Sequence, residues 1–360
     1  MKIFLISNMY PSVDDPDYGI FVKNIESALE KNGAVISEKA VISGRAKSST
    51  DKIIKYRKFY SKIISAYRKG NFDIVYLHFI SHSSPGLLLA KILFGKKKKI
   101  IINIHGSDVL SHHKGILKKC NQQLLKFSDL IVVPSHYFEK IIYQKFPDFP
   151  KNKIFISPSG GIDSTVFYFQ NKSKSNEVLH LGFVSRIEDD KGWKTFLEAL
   201  MLLNSNSIPF KASLAGKGSK SLKMIKLISG LNLSEKVKFI GVLPQKELNN
   251  FYNNIDLFIF PTLSNESLGL VGLEAMACGN PVIGSEIAGL KTFIENNKNG
   301  FFIKPGNAQE LAEKIEKYWL LPQQEKQKIQ RNALKTAQKY EKELVAQKLY
   351  HKFKELISQT

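Results

Sequence analysis

Residues 258–290 read FIFPTLSNESLGLVGLEAMACGNPVIGSEIAGL. The apolar run 257–260 is short and continuous, the mark of a parallel strand buried on both faces. It stops at Pro261. Polar residues 262–267 form a loop that carries Glu266. A helix is predicted over 268–278, with Glu274 on its second turn, and 281–283 begin another buried strand. Strand, helix and strand in this spacing make a βαβ unit and hence a parallel sheet.

The same alternation extends outward. Apolar runs at 178–184, 210–214 and 236–240 are separated by helical patterns at 193–204, 220–229 and 245–252. The N-terminal half repeats it, with strands at 3–6, 74–77, 100–104 and 130–133 and helices at 19–31, 85–94 and 135–145. The fold class is therefore α/β, with two doubly wound Rossmann-like domains. The polar, aperiodic stretch 170–176 (QNKSKSN) is read as the linker, which puts the domains at 1–170 and 171–340. Residues 308–357 are helical in pattern, and the last helix, within 341–360, is expected to pack back toward the N-terminal domain. Doubly wound sheets bind ligands beyond the carboxyl ends of their strands, so two such domains imply one facing cleft.

Composition narrows the class. The chain has 360 residues, enough for two domains. Hydrophobic residues make up 43% and charged residues 24%, which argues against disorder. Apolar stretches are too short for a signal-peptide core or a membrane span. Two cysteines, Cys120 and Cys278, make no disulfide framework, so a reducing, cytoplasmic setting is expected.

The net charge is +21. Residues 1–180 carry 28 basic and 14 acidic side chains, and residues 181–360 carry 25 and 18, so the surplus lies mainly in the first half. Such charge fits nucleic acid, an anionic membrane surface or an anionic substrate. Residues 52–69, KIIKYRKFYSKIISAYRK, place Ile53, Tyr60 and Tyr67 at sevenfold spacing beside Tyr56 and Ile63, among lysines and arginines. This pattern reads as a basic amphipathic helix for a membrane surface, or as a core helix with a wet basic face. Residues 86–99, GLLLAKILFGKKKK, end in a second basic patch, Lys96 to Lys99.

The chemistry concentrates in two loops. Glu266 and Glu274 lie about 9–12 Å apart along a largely helical span. Between them a helix N-terminus offers unpaired N–H groups and the positive end of a macrodipole, and Gly269 leaves the approach open. A diphosphate there would put a sugar near Glu266 and a ribose near Glu274. Residues 182–193, GFVSRIEDDKGW, follow the first strand of the second domain. Arg186 and Lys191 sit on its exit loop, where a doubly wound sheet would hold phosphates.

These segments resemble the family 4 glycosyltransferases, retaining enzymes of the two-Rossmann-domain (GT-B) architecture, and among them the bacterial cell-surface polysaccharide and lipopolysaccharide glycosyltransferases. Glu266 and Glu274 match the Glu-x7-Glu motif, inside EAMACGNPVIGS; Arg186 and Lys191 match Arg-x4-Lys. Residues 8–22 resemble the first glycine loop, 104–109 (IHGSDV) the His-Gly-x-Asp segment, and 214–218 and 239–243 the nucleotide-side loops. Val133-Pro134-Ser135 and Gly161-Ile162-Asp163 with Phe167 fit the landmarks before the linker.

The resemblance implies roles. Glu266 would hold sugar hydroxyls and Glu274 the ribose. Arg186 and Lys191 would neutralise the leaving diphosphate of a UDP- or GDP-sugar, helped by backbone from Ser267, Leu268, Gly269, Leu270 and Val271. Gly216 and Val242 would line the nucleotide. From the acceptor-binding N-terminal domain, Gly19 would shape the first loop and His105 would touch the transferred sugar. The acceptor would be a glycan or a lipid-linked sugar at the inner face of the cytoplasmic membrane. The chain departs from the commonest pattern at Tyr18-Gly19, Ser267-Leu268 and Ala288-Gly289.

No divalent ion is expected. The pairs His78/His82 and His112/His113 lack a third ligand at convincing spacing, and Asp15-Pro16-Asp17 reads as turn chemistry. The alternatives are a sugar-nucleotide epimerase of the same architecture and a basic nucleic-acid-binding protein. The second lacks a recognisable reading module, and no nucleic-acid partner is expected.

Overall fold

A computed structural model describes residues 1–95, 98–110, 115–171 and 177–359. The chain forms two compact units, Met1–Gly161 with Lys342–Thr360, and Ile162–Glu341. The change of unit thus precedes the polar stretch 170–176. Phe167 is buried in the second unit's core, and the N–H groups of Tyr168 and Gln170 donate to Asn249 and Asn253. Residues 172–176 of the expected linker lie outside the described residues.

The first unit carries a six-stranded parallel sheet: β1 (Lys2–Tyr10), β2 (Val35–Ser43), β3 (Ile74–His78), β4 (Lys99–Asn103), β5 (Leu130–Val133) and β6 (Ile154–Ile156), in the order β2-β1-β3-β4-β5-β6. Its helices are α1 (Ile20–Lys31), α2 (Ser49–Lys69), α3 (Ile80–Phe94), α4 (Ser107–Leu110), α5 (Gly115–Lys126) and α6 (His136–Lys145). One face packs under α2, α3, α5 and α6. The other packs under α1 and the chain's last helix, which buries Leu349 and Phe353 against Val22, Ile25 and Leu29.

The second unit repeats the plan with β7 (Leu179–Val184), β8 (Phe210–Ala215), β9 (Val237–Gly241), β10 (Leu257–Phe260), β11 (Val282–Ser285) and β12 (Gly300–Ile303), in the order β12-β11-β10-β7-β8-β9. Helices α7 (Trp193–Ser205), α8 (Ser221–Gly230), α9 (Gln245–Asn253), α10 (Leu270–Ala277), α11 (Ala308–Leu320) and α12 (Gln323–Gln338) flank it, and α13 (Lys342–Ser358) is the helix that belongs to the first unit. The two doubly wound α/β sheets are as expected.

Three strands escape a search for continuous apolar runs: β2, β6 and β12. All three are sheet edges. In β2 the half-wet edge carries polar residues such as Glu38 and Lys39 among the apolar ones, whereas β6 and β12 are apolar but only three and four residues long. Helix α3 also starts earlier than Pro85 suggests. Proline has no N–H for the carbonyl of Ser81, and the Ser84 hydroxyl donates to that carbonyl at 3.2 Å instead, so the helix runs through.

Strand order in the second sheet reverses between β7 and β10, which pair directly (Leu181 with Leu257, Gly182 with Phe258). Connections from these two strands leave toward opposite faces, which opens a crevice at their carboxyl ends. The loop holding Arg186 and Lys191 leaves β7, and the loop holding Glu266, which leads into α10 and Glu274, leaves β10. In the first sheet the reversal falls between β1 and β3, beside the glycine loop and His78.

Candidate functional site

The exit loops of β7 and β10 are stitched together. The Leu263 N–H donates to the Asp190 carbonyl at 2.8 Å. Lys191 Nζ donates to Glu266 Oε1 at 2.7 Å and to Ser264 Oγ at 3.1 Å, and Asp190 lies 3.4 Å from it. The hydroxyl of Thr262 donates to the same Oε1 at 3.2 Å. The Lys191 side chain is only 11% exposed, so this ion pair is largely shielded from water. A third loop closes on it, where the Gly289 N–H donates to the Glu266 carbonyl at 3.0 Å. A side chain at Gly289 would meet that carbonyl at 2.7 Å, which explains glycine there.

Arg186 behaves differently. It is exposed and forms no ion pair among the described residues, though its charge acts on Glu188 and Asp190. The two cations expected to act together are thus one held and one free.

Gly269 caps α10 with φ +92°, a conformation that favours glycine, and provides no capping side chain. The first N–H groups of α10 therefore rely on other acceptors. Leu268 is buried in the core, which leaves only its backbone for a ligand, while Ser267, Leu270 and Val271 are half-buried. On the far side of the crevice Gly216 presses on the Ser185 carbonyl and donates its N–H to the Gly241 carbonyl at 2.7 Å. Val242, just beyond, is exposed.

Glu274 has a partner that no spacing in the sequence signals. The Tyr252 hydroxyl, from α9, donates to its Oε2 at 3.1 Å. Burial raises the Glu274 carboxyl to about 7, against a smaller opposing effect of the Tyr252 hydrogen bond. This carboxylate is desolvated within the protein and poised to change charge near neutrality.

In the first unit Gly19 caps α1 with φ +73° and lies against the Met9 backbone, so it shapes the loop after β1. His105 follows β4, half-buried between the rings of Phe21 and Phe79, and bonds to His78 across 2.9 Å. Burial lowers its imidazole to about 3, so it is neutral. Asp108 Oδ1 accepts the N–H groups of His105 and Gly106, which orders the His-Gly-x-Asp turn. Asp15 accepts from Arg45, and its carbonyl accepts from the N–H groups of Ser12 and Tyr18, as in a turn. Among the described residues no three His, Cys, Asp or Glu gather as metal ligands. His112 and His113 lie outside the described residues.

The basic segments need correction. On α2, Tyr67 and Ile63 are fully buried and Tyr60 is half-buried, its hydroxyl donating to the His82 carbonyl at 2.9 Å. The aromatic stripe is thus core packing. Lys55 donates to the carbonyls of Ser43, Gly44 and Arg45 and so ties a turn. Lys98 and Lys99 are engaged by the Phe72 carbonyl and Asp129; Lys96 and Lys97 lie outside the described residues. What faces solvent is Arg57, Lys58 and Lys62 on α2, with Ile53 and Ile54, and the apolar Leu89, Ile92 and Leu93 on the adjoining α3.

Two family models match the chain in sequence order. Glycosyltransferase Family 4 matches residues 30–163, and Glycosyl transferases group 1 matches residues 166–336. The chain belongs to the family 4, group 1 glycosyltransferases. This glycosyltransferase chain is 29% identical over 231 residues to an amylovoran biosynthesis glycosyltransferase of Erwinia amylovora, covering 62% of this chain and 54% of the relative. It is 27% identical over 253 residues to a putative colanic acid biosynthesis glycosyltransferase of Salmonella typhimurium, covering 67% and 61%. The chain thus spans little more than half the length of these relatives. Its fold matches the GT-B crystal structure of Anabaena HepE in complex with UDP, with a TM-score of 0.74, 20% identity and coverage of 99% and 100%. No helix among the described residues is long and apolar enough to cross a membrane.

A raised carboxyl pKa has a stability cost whose sign is definite. Glu274 moves from the usual 4.5 to about 7, so the folded state holds the proton more tightly than the unfolded chain. Stability is whole below pH 4.5 and declines as pH rises through 7. Glu274→Gln removes the ionisation and keeps an acceptor for Tyr252. It should stabilise the protein by about 1–3 kcal/mol at pH 8 and leave it unchanged at pH 4.5. Thermal unfolding at the two pH values checks this; an equal change at both contradicts it.

Proposed function

We propose that the chain transfers a sugar, with retention of configuration, from a UDP- or GDP-sugar to a glycan or lipid-linked acceptor in the synthesis of a bacterial cell-surface polysaccharide. The observation that carries this reading is the Lys191–Glu266 pair bridging the two loops of the second sheet's crevice, beside the helix N-terminus at Gly269. A cation, a free guanidinium and a row of N–H groups border the crevice where we place the leaving diphosphate. Among the described residues, both hydrogen bonds to the Glu266 carboxylate fall on Oε1, so Oε2 remains to accept a sugar hydroxyl. Glu274, eight residues on, is assigned to the ribose. Leaving-group charge is handled by side chains and N–H groups, without a divalent ion, and the transition state is oxocarbenium-like. The polysaccharide-synthesis names of the relatives support the acceptor class, and the UDP held by the Anabaena protein supports a uridine nucleotide.

Nucleotide release from a panel of UDP- and GDP-sugars, with membrane lipid as acceptor, tests the reaction. One donor should yield free nucleoside diphosphate and a glycosylated product of unchanged anomeric configuration. Arg186→Ala should lower kcat roughly 10²-fold without affecting folding, because the residue is exposed on a loop. Near-normal turnover in that variant would overturn the assignment of Arg186. An isomerised donor without transfer would favour the epimerase.

A lipid-linked acceptor requires docking on the inner face of the cytoplasmic membrane. We place the contact on the exposed basic face of α2 and the apolar face of α3. Each Lys or Arg near an anionic leaflet adds about 1 kcal/mol. Co-sedimentation with anionic vesicles should fall with salt and with the combined reversal of Arg57, Lys58 and Lys62 to Glu. Retention that ignores both changes would show these residues to be merely solvated.

A further inference from the structure

Beside His105 lies a second histidine to which the proposed reaction gives no task. His78 ends β3 and is fully buried. Its Nδ1 lies 2.9 Å from His105 Nε2, and the two rings meet edge to edge, with centroids 5.2 Å apart and planes at 17°. Burial keeps both rings neutral. A neutral imidazole has one N–H, so in this contact one ring donates and the other accepts, and the tautomer of each dictates that of the other.

The choice between the two arrangements follows from the far side of His78. Its Nε2 is buried and has no hydrogen-bond partner among the described residues. The Tyr76 ring lies 4.4 Å away, and the Tyr76 hydroxyl accepts from Asn103 at 2.6 Å. A buried N–H without an acceptor is rarer than an unfilled lone pair. The lone pair therefore belongs on Nε2 and the proton on Nδ1, which donates to His105 Nε2. His105 must then carry its own proton on Nδ1. That nitrogen has no hydrogen-bond partner among the described residues, and His105 is only half-buried. Phe21 and Phe79 hold the ring in place, at centroid distances of 4.8 and 4.5 Å.

We propose that His78 is a positioning residue that locks His105 as its Nδ1–H tautomer, so that His105 presents a neutral hydrogen-bond donor to an oxygen of bound substrate. Only the identity of that oxygen, a sugar hydroxyl, rests on the transferase reading. A freely solvated imidazole favours the Nε2–H form, so the preference of His105 is inverted by its neighbour. Asparagine places an amide N–H near the position of Nδ1, which makes His78→Asn the conservative replacement; His78→Leu removes the donor.

Long-range proton–nitrogen correlations of the full chain, labelled with 15N-histidine at pH 7.5, read the tautomers directly. His105 should show a protonated Nδ1 and a bare Nε2. His78→Asn should preserve that pattern and most of the turnover. His78→Leu should move His105 toward Nε2–H and lower kcat about tenfold, the worth of one hydrogen bond. A native spectrum with His105 protonated at Nε2, as an N–H of His78 aimed at the Tyr76 ring would give, overturns the proposal. So does a leucine variant whose His105 pattern is unchanged. If His78→Leu fails to fold, the native and asparagine spectra still decide. Because the spectra need no donor, a failure of the transferase reading leaves this result standing or falling separately.

Discussion

A doubly wound parallel sheet has to reverse its strand order somewhere, and in the second unit it does so between β7 and β10. The candidate site depends on that reversal. The two strands pair side by side, yet their outgoing chains go to opposite faces, so their exit loops border one crevice. Residues 75 positions apart in sequence, Lys191 and Glu266, then meet at 2.7 Å. Backbone-to-backbone approach at Gly289 and Gly216 clamps the loops on which they sit. A site built on clamped loops loses little order when it takes a ligand, the condition for effective electrostatic stabilisation.

The first unit uses the same constraint with different chemistry. Its reversal lies between β1 and β3 and brings the Gly19 loop beside His78 and His105. The second unit offers charge, in the form of Lys191, Arg186 and Glu266. The first offers neutral donors and acceptors, because burial removes the charge from its histidines. Glu274 falls between these cases: desolvation holds it near neutrality, where an approaching ligand can settle its protonation.

The fold was legible where burial is complete on both faces. Runs such as Ile100, Ile101 and Ile102 admit one reading, whereas the edge strand β2 mixes polar and apolar residues and the edge strands β6 and β12 are apolar but only three and four residues long, so all three escape it. The site was legible as residue types and spacing. Its pairing was not, because Lys191 with Glu266 and Tyr252 with Glu274 are contacts between elements remote in sequence. The basic helix α2 shows the opposite failure. Tyr60 and Tyr67 at helical spacing among lysines fit a membrane face and a core face equally, and the sheet beneath α2 decides for the core. Lys55 reads as one more solvated lysine, yet three carbonyls of a turn hold it.

The central claim is that the crevice between the β7 and β10 loops is a diphosphate site. Calorimetric titration of the native chain with UDP, GDP and the matching nucleosides tests it most directly. One diphosphate should bind, and its nucleoside should bind roughly 100-fold or more weakly, since it lacks the phosphates that Lys191, Arg186 and the α10 N–H groups would hold. Equal affinity for nucleotide and nucleoside, or no binding of either diphosphate, would contradict the account.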